Sequence, residues 1–295
     1  MGDKRNFAAL DWVIGEIGET LTQARQALEA YVENGKDSTR IRFCLTHLHQ
    51  VHGSLQMVEF YGAALMSEEM EQLAEALMNG KVSNEREGQE VLMRAIVQLP
   101  AYLEQVKATR KDHPAQVLPL LNDLRTVRGE SLLTETNLFS PDLSPARRIR
   151  GERLPATRDD KQFRTIMAKL RQMYQYAAAG LMRGVKPEEN VAYLDKVFTR
   201  LHKLTQGTPR QPLWDISLAL LEGLAADLIE SSVSVKNLLR QLDREIKLLA
   251  IHGIKTLDSA PTDELIKNLL FYIARVEGGG KHLQRIQADY HLADA

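Results

Sequence analysis

Cysteine is nearly absent from this chain: of 295 residues, only Cys44 is one. A lone cysteine excludes an intramolecular disulfide and a cysteine metal cluster, and it suits a reducing cytoplasm, where the protein is expected to reside. Apolar runs are short. None reaches the roughly 18 residues of a membrane-spanning helix, and the N-terminus has no signal-peptide apolar core. Excess charge is missing too. The formal net charge is −1, so no global field favours nucleic acid or a membrane surface. Period-two alternation, the mark of strands, is not found. Neither is a Gly-x-x-x-x-Gly-Lys phosphate loop nor a dinucleotide glycine signature. The histidines form no metal pattern, because a di-metal bundle draws a Glu-x-x-His from each of two helices and none occurs here. No metal or cofactor is expected.

What is present is helical. Apolar residues make up 44% of the chain and charged residues 26%, which is the balance of a soluble globular protein. The length is enough for two ordinary domains. Residues 10–33 carry Trp12, Val13, Ile17, Leu21, Ala24, Leu28 and Tyr31 at three- and four-residue steps. Asn34-Gly35 closes that helix, and Ser38 or Thr39 opens the next. Helices are expected over 59–78, ending at Asn79-Gly80, over 85–109 with an interruption or kink at Pro100, and over 114–134. Short polar connections between them predict antiparallel neighbours in a bundle.

The helix that opens near residue 38 holds the feature of most interest. At about 100° per residue, with Leu48 at zero, Ile41, Cys44, Leu45, Val51, Leu55 and Val58 all fall within roughly 80°. They form one buried stripe. His52 lies about 40° from its centre and His49 about 100° away. His49 is therefore expected to show a ring edge to solvent and His52 to be partly buried. Gly53 follows His49 by one turn. A mid-helix glycine costs about 1 kcal/mol relative to alanine. Two reasons for it are open: close approach of a partner, or tight packing by a neighbouring helix.

Residues 137–160 break the helical pattern. Pro141, Pro145 and Pro155 stand among Arg147, Arg148, Arg150, Arg153 and Arg158, as in a basic, proline-punctuated linker. It reads as a solvated connector or as an arm for an acidic partner. Beyond it the pattern resumes, with a helix over 161–183, one that starts at Pro187 and carries its apolar stripe from Val191 through Leu194, Val197, Phe198 and Leu201 to Leu204, and others over 213–231, 234–257 and 261–277. His252-Gly253 reads as a helix end, and Gly278-Gly279-Gly280 as a stop and hinge. His202 again lies about 100° off its stripe. Two five-helix units, each with a shoulder histidine on its second helix, suggest duplication. The chain is thus expected to be all-α, with a first bundle over 1–136, a linker over 137–160 and a second bundle over 161–295.

His49-x-x-His52-Gly53 resembles the His-x-x-Lys-Gly core of histidine phosphotransfer (Hpt) domains. The surrounding stretches Phe43-Cys44-Leu45-Thr46, Leu55-Gln56-Met57-Val58-Glu59 and Gly62-Ala63-Ala64-Leu65 resemble the N-terminal region of the ChpA/PilL hybrid CheA-type kinases of type IV pilus chemosensory systems. Met1-Gly2-Asp3, the run from Val117 to Arg125 and Arg200-Leu201-His202-Lys203 fit the same family. The similarity extends to the FimL scaffold and spans essentially the whole chain. It implies Hpt-like four-helix bundles with one extra helix each. It also implies kinase, further Hpt and receiver parts beyond Ala295, so that the chain would be a fragment with no kinase activity of its own.

Departures from the pattern bear on mechanism. An active Hpt domain uses its lysine to hold the phosphoryl group; here His52 stands in that place. At the corresponding sites of the second half, Thr205 replaces the lysine and Gln206 the glycine. A carboxylate from the next helix (Glu68, Glu69 or Glu71) could orient the His49 ring, whereas Glu59 could not. Two functions fit. One is a scaffold module for twitching-motility signalling that docks receiver or scaffold proteins through His49, Gln50, His52, Gly53 and Gln56, or through the face near His202. The other is a phosphotransfer domain with His49 as acceptor. The missing lysine favours docking, and a homodimer stays open.

Overall fold

A computed structural model of the chain describes residues 7–34, 37–58, 60–109, 112, 114–157 and 159–294. Gly35, the expected helix stop, lies outside these residues, as do Met1, Gly2, Asp3, Glu59, Arg158 and Ala295. Among the described residues every regular element is a helix, and no helix is long and apolar enough to cross a membrane. The chain divides into two compact units, residues 1–138 and 139–295, each with its own apolar core.

In the first unit α1 (Phe7–Glu33), α2 (Ser38–Met57), α3 (Tyr61–Met78) and α4 (Glu85–Thr109) pack neighbour to neighbour, and α4 closes back on α1. The stripe read by angle is the buried one, with Ile41, Cys44, Leu48, Val51 and Leu55 all facing the core. Burial also pushes the Cys44 thiol up to about 12, so it stays a protonated, unreactive core residue. Helix ends follow local chemistry. Asp37, rather than Ser38 or Thr39, caps α2 by accepting from the Thr39 amide at 2.9 Å, since its carboxylate reaches an otherwise unpaired amide. Asn79 and Gly80 end α3, with Gly80 in the left-handed region at φ 64° and the Lys81 amide donating to the Ala76 carbonyl at 2.9 Å. α4 runs on through Pro100.

The expected helix over 114–134 is shorter in the structure. It is a turn over Pro114–Val117 followed by α5 (Leu118–Thr126), and Gly129 at φ 74° carries the chain out of it. The side chain of Asn122 brackets Leu133, donating to its carbonyl at 3.0 Å and accepting from its amide at 2.8 Å. That pairing replaces helical hydrogen bonds with side-chain ones. The single turn α6 (Glu135–Leu138) ends the unit. Beneath α5, Glu69 of α3 is buried and paired with both Arg125 and Arg128.

The second unit contains α7 (Asp160–Met182), α8 (Pro187–Leu204), α9 (Gln211–Ala225), α10 (Val233–His252), α11 (Asp263–Ala274) and α12 (Lys281–Asp289). α7 packs between α8 and α10, and α11 stands between α9 and α10. α12, unforeseen in the sequence, lies on α9. Glu222 of α9 caps it by accepting from the Leu283 amide at 2.6 Å. A Cβ on Gly280 would sit 1.7 Å from that carboxylate, so the last glycine of the triplet makes room for the cap.

Residues 139–157 are laid on this unit. Phe139 is buried and meets Phe271 edge-on, with ring centroids 5.6 Å apart. Arg147 pairs with Asp263 at 2.9 Å, and Arg153 pairs with Asp258. The Gly207 amide donates to the Arg150 carbonyl at 3.2 Å. The arginines that suggested a solvated connector therefore include two that tie the segment down.

Glu69→Ala would leave two guanidinium groups without their buried carboxylate. It is expected to lower the stability of the first unit by about 3 kcal/mol or more. Urea unfolding followed by circular dichroism measures this, and a loss under about 1 kcal/mol would show that water replaces the pair.

Candidate functional site

The α2–α3 face of the first unit carries His49 and Glu71. His49 Nδ1 lies 2.7 Å from Glu71 Oε1, on a side chain 73% exposed. A carboxylate only accepts, so Nδ1 carries a proton; in the neutral ring this is the tautomer whose Nε2 keeps its lone pair. Of the three carboxylates the sequence offered on the next helix, the other two are engaged elsewhere. Glu69 is held by Arg125 and Arg128, and Glu68 accepts from Gln72 at 3.3 Å.

His52 is half-buried, and its Nδ1 is 3.1 Å from the Ala64 carbonyl, which also accepts from Ser67 Oγ at 2.7 Å. That nitrogen is occupied with the backbone of α3, where a lysine would reach out to a phosphoryl group. Gly53 has open space around it: an added Cβ meets nothing within 4 Å. Tight packing by a neighbouring helix therefore does not explain this glycine. Gln50 and Gln56 are exposed. By angle Gln56 stands beside His49, whereas Gln50 lies about 100° further round.

Two residues of this surface were missed by the sequence reading. Phe43 is 51% exposed and Met57 86%. Each lies seven residues from Gln50, and so on the same side of the helix. The signal was available, since two large apolar residues fall well off the buried stripe.

His202 has other surroundings. Its Nε2 is 3.9 Å from Asp215 Oδ1, a carboxylate oxygen already shared by His282 at 3.3 Å and Arg285 at 2.7 Å. Residues of the 145–150 segment line the same cleft. Gln206 does not guard an open face; it donates to the Glu152 carbonyl at 3.2 Å. Burial holds the His202 imidazole below its ordinary range, Asp215 opposes this, and His282 and Arg285 reinforce it. Among the described residues no group of three or more His, Cys, Asp or Glu is placed to hold a metal ion.

These features define an all-helical, two-unit protein with an exposed imidazole and a flat, apolar-edged helix face. A model of the FimL C-terminal domain matches residues 7–123, and a model of the second domain of the FimL scaffold protein matches residues 159–295. Between them the two models cover most of the chain, which is similar to these domains of the FimL scaffold protein. It is 30% identical to the scaffold protein FimL of Pseudomonas aeruginosa PAO1 over 290 residues, which is 97% of this chain and 50% of that protein. The chain thus spans about half the length of the curated relative it matches. Of the two families sharing its motifs, the scaffold, and not the ChpA/PilL hybrid kinase, is the one matched. No solved structure matches the chain.

Gly53→Ala is expected to raise the stability of the first unit by about 0.5–1 kcal/mol, because the helix gains propensity and nothing is displaced; thermal unfolding measures it, and a loss would reveal a hidden contact. His202 yields a pH dependence. Its folded value is depressed, so its contribution is fully present above the unfolded value of 6.5 and is lost as pH falls through and below it. The urea midpoint of the second unit should drop between about pH 7 and about pH 5, and less steeply in His202→Gln.

Proposed function

We propose that this chain is a docking scaffold of a type IV pilus chemosensory system, acting in the cytoplasm in twitching-motility signalling. Its partners on this reading are receiver or scaffold proteins, seated on the α2 face around His49, Gln50, His52, Gly53 and Gln56. The observation that carries the reading is Gly53, a helix-weakening residue with no internal contact to account for it. It lies one turn from an exposed imidazole and between two exposed apolar residues. A protein partner has use for a flat site flanked by apolar anchors. The relative's name, a scaffold protein, agrees with this role.

A second reading is favoured by one contact, the hydrogen bond from His49 Nδ1 to Glu71. It leaves Nε2 as a nucleophile. In that reading Nε2 attacks the phosphorus of a receiver's aspartyl phosphate, the N–P bond forms, the acyl-phosphate P–O bond breaks and the aspartate carboxylate leaves. The receiver supplies the metal. The occupied His52 ring, standing in place of a lysine, weighs against efficient transfer.

The test uses the receiver and scaffold proteins of the pilus chemosensory system of the same organism. Calorimetric titration should give saturable binding, with Gln56→Ala weakening it several-fold and Met57→Asp at least about tenfold, or 1.4 kcal/mol. Unchanged affinity in both variants removes this face from consideration. Self-association on the same face would appear in sedimentation and be lost in Met57→Asp. Acid-labile label from a phosphorylated receiver, absent in His49→Gln, would promote the second reading over the first.

A further inference from the structure

The second unit holds a cleft of about 260 Å³ that the scaffold reading leaves unused. One wall is the segment around Pro145, Arg148 and Arg150. The opposite walls come from His202 of α8, from Gln211, Pro212 and Asp215 at the start of α9, and from Arg285 and Asp289 of α12 with Tyr290 just past its end.

The arginines of the 145–153 segment divide into two kinds. Arg147 and Arg153 are paired with Asp263 and Asp258. Arg148 and Arg150 make no side-chain hydrogen bond or ion pair among the described residues, and both line the cleft. Their position does not depend on their own side chains. The Arg150 carbonyl accepts from the Gly207 amide, and the Glu152 carbonyl accepts from Gln206.

Two carboxylates also line the cleft, and both are already engaged. Arg285 bridges them, at 2.7 Å to Asp215 and 3.1 Å to Asp289, and His282 adds a second contact to Asp215. Among the lining residues three guanidinium groups stand against two carboxylates, an excess of positive charge before any histidine is protonated, with Asp142 acting on Arg148 from outside the cleft. The first turn of α9 adds the positive end of a helix dipole. Two planar forks left unpaired beside a helix start suit the oxygens of a phosphate group. The volume leaves room for the organic group that carries it.

We propose that this cleft binds a phosphate monoester, with Arg148 and Arg150 as its anion-binding residues. The phosphate could belong to a small molecule or to a phosphorylated side chain of a partner, and the chemistry recognised is the same. Binding needs neither His49 nor the α2 face.

The experiment is calorimetric titration of the full chain with inorganic phosphate, phenyl phosphate and a phosphoserine peptide, at low and high salt. Saturable binding that weakens with salt is expected. It should fall at least about tenfold in the double variant Arg148→Ala/Arg150→Ala and be partly restored in Arg148→Lys/Arg150→Lys. Because neither side chain holds the fold, the double variant should unfold at an unchanged temperature. Arg240→Ala, which removes an arginine of α10 outside the cleft, should bind as the unaltered chain does. Preference for the peptide over phenyl phosphate would assign the ligand to a partner protein; equal affinity would assign it to a small molecule. No saturation up to about 10 mM of any probe, equal binding by the double alanine variant, or an equal loss in Arg240→Ala would overturn the proposal.

Discussion

The rotation of α3 about its own axis is the constraint on which the candidate site depends. Glu69 and Glu71 lie two residues apart, and so on nearly opposite sides of the helix. Glu69 is buried under Arg125 and Arg128, and Met66, Met70 and Leu73 set the apolar face. With that face and its ion pair in place, Glu71 has one direction left, toward α2. There it meets His49. A buried carboxylate with two charge partners adds little net stability, but here it specifies which of three neighbouring glutamates orients the imidazole.

The two shoulder histidines show how similar helices reach different ends. Both lie about 100° off their stripes. His49 remains open because, among the described residues, the first unit brings only one carboxylate to the edge of its ring. His202 is enclosed because the second unit adds α12 and the 145–150 segment, and its acid–base behaviour follows from that burial. The helix angle alone is the same in both cases. What differs is carried by residues roughly 50 to 90 positions away in the chain.

Much of this was legible in the sequence, and the reasons are local. The buried stripe of α2, the exposure of His49, the partial burial of His52 and the end of α3 at Asn79-Gly80 all follow from helix periodicity and capping chemistry. The all-helical class follows from the same periodicity. Contacts between distant segments were not legible. Nothing near Glu71 distinguishes it from Glu68. The start of α12 depends on Glu222, about two fifths of the second unit's length away, as much as on its own glycine. Asn122 shortens α5 by pairing with Leu133, which no periodicity reveals. The arginine-rich stretch was hardest to read, because composition says how a segment is solvated when alone and not whether Asp258 and Asp263 await it.

That stretch has a practical consequence for where the chain can be cut. Composition alone would set the start of the second unit at the first residues of α7. A chain begun there would leave Phe271 without the ring of Phe139 and Asp258 and Asp263 without their arginines, and it would strip one wall from the cleft beside His202. The second unit begins with Phe139, whose ring belongs to its core. Residues 139–157 are a strap and not a tether: they belong to the body they cross, and removing them would unfasten it.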